Sequence, residues 1–158
     1  MPKEIMYDHI EKLKQIVARS RVGMLGMHRE DGIHFSPMSH VDIDDDGNLW
    51  FFTSKETGNA ISAKNKNKNN IFITYAQESN NTFLSISGKA YLNSNKEKMR
   101  ELFNPYIKPW FPKGLDDPSI SLMVVHPLEV ECWTTDDHKV LTYDKIVSPE
   151  KKASPQHS

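Results

Sequence analysis

The chain has 158 residues, of which 37% are apolar, and it carries 20 Lys and Arg against 21 Asp and Glu, a net charge of −1. This length fits one domain, and a chain without a basic excess is a poor general binder of nucleic acid. No apolar run approaches the roughly 20 residues that span a bilayer. The single cysteine, Cys132, excludes an internal disulfide and suits a reducing compartment. We therefore expect a cytoplasmic protein with no nucleic-acid partner and no membrane partner.

The first periodic segment predicts an amphipathic helix near the N-terminus. Met6, Ile10, Leu13 and Val17 recur at steps of four, three and four, so they form one apolar stripe. A helix with such a stripe is expected to pack against a core.

From Arg21 onward the pattern changes to short apolar runs separated by polar connectors, which is typical of β-strands. The connectors that end in Gly32 and Gly47 predict tight turns, so the first three strands should form a meander. Two helices are expected, over residues 56–67 and 96–103. The predicted strands are Val22 to Met27, Ile33 to Val41, Leu49 to Thr53, Ile71 to Tyr75, Phe83 to Leu92, and Ile120 to Trp133.

Six or more strands with few helices indicate a mainly β fold, an antiparallel barrel with peripheral helices. We expect one domain over residues 1–147, including the N-terminal helix. Residues 148–158 are polar and lack periodicity, so we expect a disordered C-terminal tail.

The stretch from Leu49 to Ala60 runs from an apolar strand through hydroxyl residues directly into a predicted helix. Thr53 followed three residues later by Glu56 has the form of a capping box. Unpaired N–H groups at a helix start, with the hydroxyls of Ser54 and Thr57 beside them, could bind a phosphate. The same pattern also opens many helices that bind nothing, so both interpretations stay open.

Four segments resemble the pyridoxamine 5′-phosphate oxidase-like superfamily, and within it the general stress protein 26 group. They are "EDGIHFSPMS" (30–39), "GNLWFFTSKETGNA" (47–60), "SISGKAYL" (85–92) and "FNPYIKPWFPKGLDDP" (103–118). The resemblance implies an FMN-binding split β-barrel that forms a homodimer, with the flavin in a cleft between two subunits. It also implies a possible flavin-dependent oxidoreductase, whose substrate the sequence does not name.

The resemblance also implies which residues would bind the flavin. Phe52, Thr53 and Ser54 fall at the strand end, Thr57 and Asn59 at the helix start, and Ser36, Pro37 and Met38 on the neighbouring strand. Trp110 matches an aromatic residue that lies near the flavin ring, supplied by the partner subunit.

The chain departs from the family pattern at two positions, because relatives usually have arginine where this chain has Ser36 and lysine where it has Asn59. Each missing charge-assisted contact to the phosphate would cost about 1.5–3 kcal/mol. Lys55 and Lys64 are cations that could compensate. The alternatives are a non-catalytic dimeric binding module, or a protein that binds a related ligand such as FAD, a deazaflavin or haem.

Three other features have simpler interpretations. His34 and His40 share a strand face but lie about 20 Å apart, too far to bind one metal, and His28 should pair near Ile33 on the opposite face. Cys132 is expected to point into the barrel. The run of alternating lysine and asparagine over residues 64–69 is expected to be a solvated helix end.

Overall fold

The structure, a computed structural model, describes residues 3–135 and 141–147, with side chains described over residues 10–135. Within these residues seven strands form one sheet in the order β3-β2-β1-β4-β5-β6-β7. The helices are α1 (Lys3–Ala18), α2 (Gly58–Lys64) and α3 (Lys96–Leu102). The strands are β1 (Val22–Arg29), β2 (Gly32–Ile43), β3 (Leu49–Ser54), β4 (Asn70–Gln77), β5 (Thr82–Asn93), β6 (Ile120–Thr135) and β7 (Leu141–Val147).

The sheet closes on itself because β3 pairs with β6 as well as with β2. All of these pairings are antiparallel. The fold is therefore the mainly β split barrel that the sequence predicted. The predicted meander over β1, β2 and β3 is confirmed, whereas β4 returns to pair with β1 rather than with β3.

The first two turns use glycine for a backbone reason. Gly32 and Gly47 have φ angles of +136° and +85°, a region that residues with a Cβ atom rarely adopt. The Arg29–Gly32 pair closes the first hairpin and places His28 opposite Ile33, the pairing that the sequence predicted.

Buried apolar side chains form two clusters on opposite faces of the sheet. The first fills the barrel, and α1 packs Leu13 and Val17 onto it. The second lies outside the barrel, where α3 and the loop after it cover β3 and β6. Each fully buried aliphatic side chain contributes about 1.5–3 kcal/mol. The barrel cluster includes Leu25, Met27, Leu49, Phe51, Ile71, Ile73, Ile86, Met123, Val125 and Cys132, and the outer cluster includes Trp50, Phe52, Met99, Ile107, Phe111, Ile120 and Leu122.

The structure corrects two sequence expectations. The helix expected over residues 56–67 is limited to α2, because Asn65 turns the chain and its side chain accepts a bond from the Asn67 N–H at 2.9 Å. Lys66 and Lys68 therefore lie beyond the helix. Strand β7 was not predicted, and it pairs with β6. The expected tail, residues 148–158, lies outside the described residues.

Candidate functional site

The turn from β3 into α2 is capped by Thr57, not by Thr53 as the sequence predicted. The Thr57 hydroxyl accepts a hydrogen bond from the Ala60 N–H at 3.2 Å. Thr53 is still part of β3, where it is buried and pairs with Ser121 of β6. The predicted capping box is therefore wrong, since the helix begins four residues later than its form implies.

The hydroxyl groups of this turn bind one another. Thr53 Oγ1 lies 3.1 Å from Thr57 Oγ1, and Thr57 Oγ1 donates to the Ser54 carbonyl at 2.9 Å. The Ser54 hydroxyl accepts from the Glu56 N–H at 3.4 Å. These contacts fix the shape of the turn, so any charge that attracts an anion here has to come from a neighbouring side chain.

Strands β2 and β3 separate beside this turn. Their ladder extends from Ile43–Leu49 to His40–Phe51, with a register shift between His40 and Asp42, and no further pair joins the two strands within the described residues. Beyond it, residues 52–54 pair only with β6 and residues 36–38 only with β1. Two strand edges therefore face a gap, and backbone groups at such edges can bind a ligand.

The side chain of Asn59 connects α2 to β2. Asn59 is buried, and its amide nitrogen donates to the Ser36 hydroxyl at 3.2 Å. Its amide oxygen accepts from Arg29 Nη2 at 2.6 Å. The two positions where the resemblance implies cations are thus occupied by a hydrogen-bonded polar pair.

Arg29 is the residue that sequence reasoning missed. Leu25, Met27 and Arg29 alternate along β1, which places Arg29 on the barrel face. That alternation was the available signal. The guanidinium packs directly on Gly58, where a Cβ atom would overlap it, so the absence of a side chain at Gly58 is what admits Arg29. Arg29 Nε is buried without a hydrogen-bond partner.

Lys55 and Lys64, the two lysines that the sequence offered as compensating cations, show no hydrogen bond to Asn59 of the kind that Arg29 makes. Lys55 is half-buried at the turn, and its N–H donates to the Ser119 carbonyl at 2.8 Å. Lys64 is exposed in the last turn of α2, at the opposite end from Asn59.

Of the predicted strand residues, Phe52 is fixed by packing. Its ring meets Phe103 edge-on, with 5.9 Å between the centroids, and it belongs to the outer cluster. Ser36 and Met38 are half-buried, and Pro37 between them is exposed. Proline lacks an N–H donor, which suits a strand edge.

Trp110 lies in the loop between α3 and β6 and is 75% exposed. Ile107 and Phe111 of the same loop are buried in the outer cluster, which holds the loop against the barrel. Tyr106 is also exposed, and its ring lies 4.7 Å from the Arg21 guanidinium, immediately before β1. The loop therefore presents exposed aromatic rings beside the start of β1.

The outer face of β1 and β2 is apolar and exposed. Directly paired residues of an antiparallel ladder share a face, and the pairs Met24–Pro37 and Gly26–Phe35 place these side chains together. The Phe35 ring, 56% exposed, lies across Gly26. Val22, Met24, Ile33 and Phe35, which we call the outer apolar face, are all exposed to solvent.

The histidines lie in separate environments. His34 Nε2 is 2.7 Å from Asp31 Oδ1 at the first hairpin, and that contact lowers the pKa of Asp31. His40 Nδ1 is 3.1 Å from the Tyr75 hydroxyl inside the barrel, where burial lowers the pKa of His40 and raises that of Tyr75. Within the described residues no group of three His, Cys, Asp or Glu side chains is arranged to hold a metal ion.

Cys132 is buried in the barrel cluster, as the sequence predicted. Among the described helices none has both the length and the apolar character needed to cross a membrane.

Comparison with known proteins agrees with the resemblance found in the sequence. A family model described as "Pyridoxamine 5′-phosphate oxidase like" matches residues 8–153. No curated protein matches the chain.

Solved structures with the same fold include two relatives above 25% identity. A general stress FMN/FAD-binding protein from Xanthomonas citri is 27% identical, with 93% of this chain and 99% of that chain covered and a TM-score of 0.66. A general stress family protein from Xanthomonas campestris is 28% identical, with coverages of 94% and 98% and a TM-score of 0.64. A protein related to general stress protein 26, from Clostridium acetobutylicum, is 18% identical, with coverages of 89% and 96% and a TM-score of 0.71.

Proposed function

Because this chain belongs to the pyridoxamine 5′-phosphate oxidase-like family, we propose that it binds FMN in the gap between β2 and β3 and does so as a homodimer. The observation that carries the proposal is the separation of the two strands beyond His40–Phe51. The gap lies next to α2, and at the margin of the gap the Asn59 side chain of α2 donates a hydrogen bond to Ser36 of β2. A similar structure is named as an FMN/FAD-binding protein, which supports a flavin as the ligand.

The proposed binding residues surround this gap. A flavin has a flat ring with polar edges and an anionic phosphate, so it needs an apolar surface, backbone donors and acceptors, and a cation. The unpaired edges of β2 and β3 offer the backbone groups. The residues are Ser36, Pro37, Met38, Phe52, Thr53, Ser54, Lys55, Thr57 and Asn59, with Trp110 contributed by the partner subunit.

The outer apolar face supports the homodimer. Exposed apolar side chains that form one patch on a sheet are typical of a surface that another protein covers. In the proposed dimer this face of one subunit packs on the partner, and the partner's loop brings an exposed Trp110 to the flavin. The flavin would then be enclosed by two chains.

FMN, when bound, would supply redox chemistry, and the protein would bind and orient the ring and exclude water from it. The reaction we propose is a flavin-dependent oxidation or reduction in the cytoplasm. The chain's own contribution is positional, because the backbone edges and the Asn59–Ser36 pair are held by the fold.

A titration with FMN tests the proposal. We expect saturable quenching of flavin fluorescence with one FMN per subunit, and a yellow protein whose absorption spectrum is that of a bound flavin. Absence of binding at high micromolar FMN would contradict the proposed function.

A second candidate is a dimeric binding module that has lost its cofactor. The observation that favours it is the Asn59–Ser36 hydrogen bond, which joins two uncharged side chains where a phosphate would need cations. Flavin that stays bound through purification would exclude this candidate. Mass spectrometry of the released ligand would separate FMN from FAD, a deazaflavin or haem.

A further inference from the structure

We infer that Arg29 is the cation that binds the flavin phosphate, in place of the charges missing at Ser36 and Asn59. This inference rests on the proposed flavin site and names a specificity-determining residue within it. A ligand held this way would bind more tightly when it carries a phosphate than when it ends in a hydroxyl.

The position of Arg29 is the first argument. Its Nη2 donates to Asn59 Oδ1 at 2.6 Å, and Asn59 in turn donates to Ser36 at 3.2 Å. One continuous network therefore joins the guanidinium to both uncharged positions. The positive charge is present at the site but comes from β1 rather than from β2 or α2.

The unused donors of Arg29 are the second argument. A guanidinium has five N–H donors, and the structure shows one bond from Nη2 and leaves the buried Nε without a partner. Arg29 also forms no ion pair with a carboxylate among the described residues; its neighbour Asp31 is paired with His34 instead. A buried donor without an acceptor is unfavourable, so an anionic acceptor here satisfies groups that the protein leaves open.

The turn itself cannot replace this charge. Helix α2 has only seven residues, and Thr57 already caps the Ala60 N–H. The hydroxyls of Thr53 and Thr57 bond to each other and to the turn. Lys64 is at the far end of α2, and Lys55 is followed by the exposed Glu56, which opposes its charge.

Gly58 gives an independent reason for the arrangement. The guanidinium occupies the space that a Cβ atom at position 58 would need. Any side chain there would displace Arg29 from Asn59. The glycine and the arginine thus form one structural unit.

The test compares FMN with riboflavin, which has the same ring but no phosphate, on the full-length protein and on Arg29→Gln. We expect the wild-type protein to bind FMN more tightly than riboflavin. Arg29→Gln should lose about 10- to 100-fold in FMN affinity, while its riboflavin affinity stays within about twofold, since the ring contacts are unchanged. Arg29→Lys should fall between the two, because it keeps the charge but not the planar fork.

Arg100→Gln is the matched control, since Arg100 is an exposed arginine on α3, and it should leave both affinities unchanged. Riboflavin binding by Arg29→Gln also shows that the variant is folded. Equal loss of both ligands, or an unchanged preference for FMN, would overturn the role of Arg29 while leaving the flavin site intact. If the wild-type protein binds neither flavin, the proposed function itself fails.

Discussion

Asn59 on α2 and Ser36 on β2 are joined by a hydrogen bond of 3.2 Å at the margin of the gap between β2 and β3. The bond holds α2 against β2 in the region where β2 does not pair with β3. Arg29 completes the network from the neighbouring strand. The helix, two strands and one cation are therefore positioned by a single chain of side-chain contacts.

The first prediction concerns the cap of α2. Thr57→Ala should lower the free energy of unfolding by about 1 kcal/mol, since the Ala60 N–H loses its acceptor. Thr57→Ser keeps a hydroxyl at the same place and should stay close to wild type. Urea denaturation of the three proteins measures the difference. Equal destabilisation by both variants would show that the methyl group, not the hydroxyl, is what matters.

The second prediction concerns Trp110. Because its side chain is 75% exposed and makes little contact within its own subunit, Trp110→Ala should leave the melting temperature nearly unchanged. It should nevertheless weaken FMN binding about tenfold, as expected for loss of an aromatic contact of about 1.5 kcal/mol. Trp110→Phe retains a ring and should recover part of the affinity. The readouts are thermal denaturation and flavin fluorescence, and unaltered binding by the alanine variant would remove Trp110 from the site.

The third prediction concerns the outer apolar face. Phe35→Asp places a charge in the centre of the face and should convert the homodimer to a monomer, as measured by sedimentation. Ile61→Asp is the control, because Ile61 is 60% exposed on α2, outside this sheet face. We expect the control to remain dimeric. A wild-type protein that sediments as a monomer at high micromolar concentration would refute the dimer, whatever the variants do.

The strands could be predicted from the sequence because each apolar run is bounded by turn residues, and Gly32 and Gly47 do adopt positive φ angles. Strand β7 has no such uninterrupted apolar run, since Thr142, Asp144 and Lys145 divide its apolar residues, and its place depends on pairing with β6. The formation of β7 therefore depends on tertiary pairing and not on a local sequence pattern.

In the candidate site, too, some residues are predictable from local sequence pattern and others depend on tertiary contacts. Residues near one another in sequence, from Phe52 to Asn59, were found because the strand-to-helix change is a local signal. The alternation along β1 places Arg29 on the barrel face, but its contact with Asn59 could not be predicted, because the two residues are 30 positions apart and meet only when β1 packs beside α2. The cap was misplaced for a related reason, since pairing with β6 keeps Thr53 in the strand.

The last prediction is that stability falls in mild acid because of His40. Burial inside the barrel lowers the pKa of His40, although the nearby Asp42 carboxylate opposes that shift. The unfolded chain binds this proton at about pH 6.5, and the folded chain binds it only at lower pH. Between the pKa of His40 in the folded state and its higher pKa in the unfolded state, the unfolded state binds more protons. The free energy of unfolding therefore decreases as the pH falls below about 6.5.

His40→Gln removes the titrating group and should flatten this part of the profile. Tyr75 Oη, 3.1 Å from His40 Nδ1, can hydrogen-bond to glutamine as well, so the variant retains a polar partner. Partial burial acts to raise the pKa of Asp44, but hydrogen bonds from Trp50 and Asn48 lower it overall. Protonation of Asp44 therefore destabilises the fold only in stronger acid, and that loss is the same in the wild-type protein and the variant. Urea unfolding from pH 8 to pH 5 gives the two profiles, and parallel curves would show that His40 does not set the acid sensitivity.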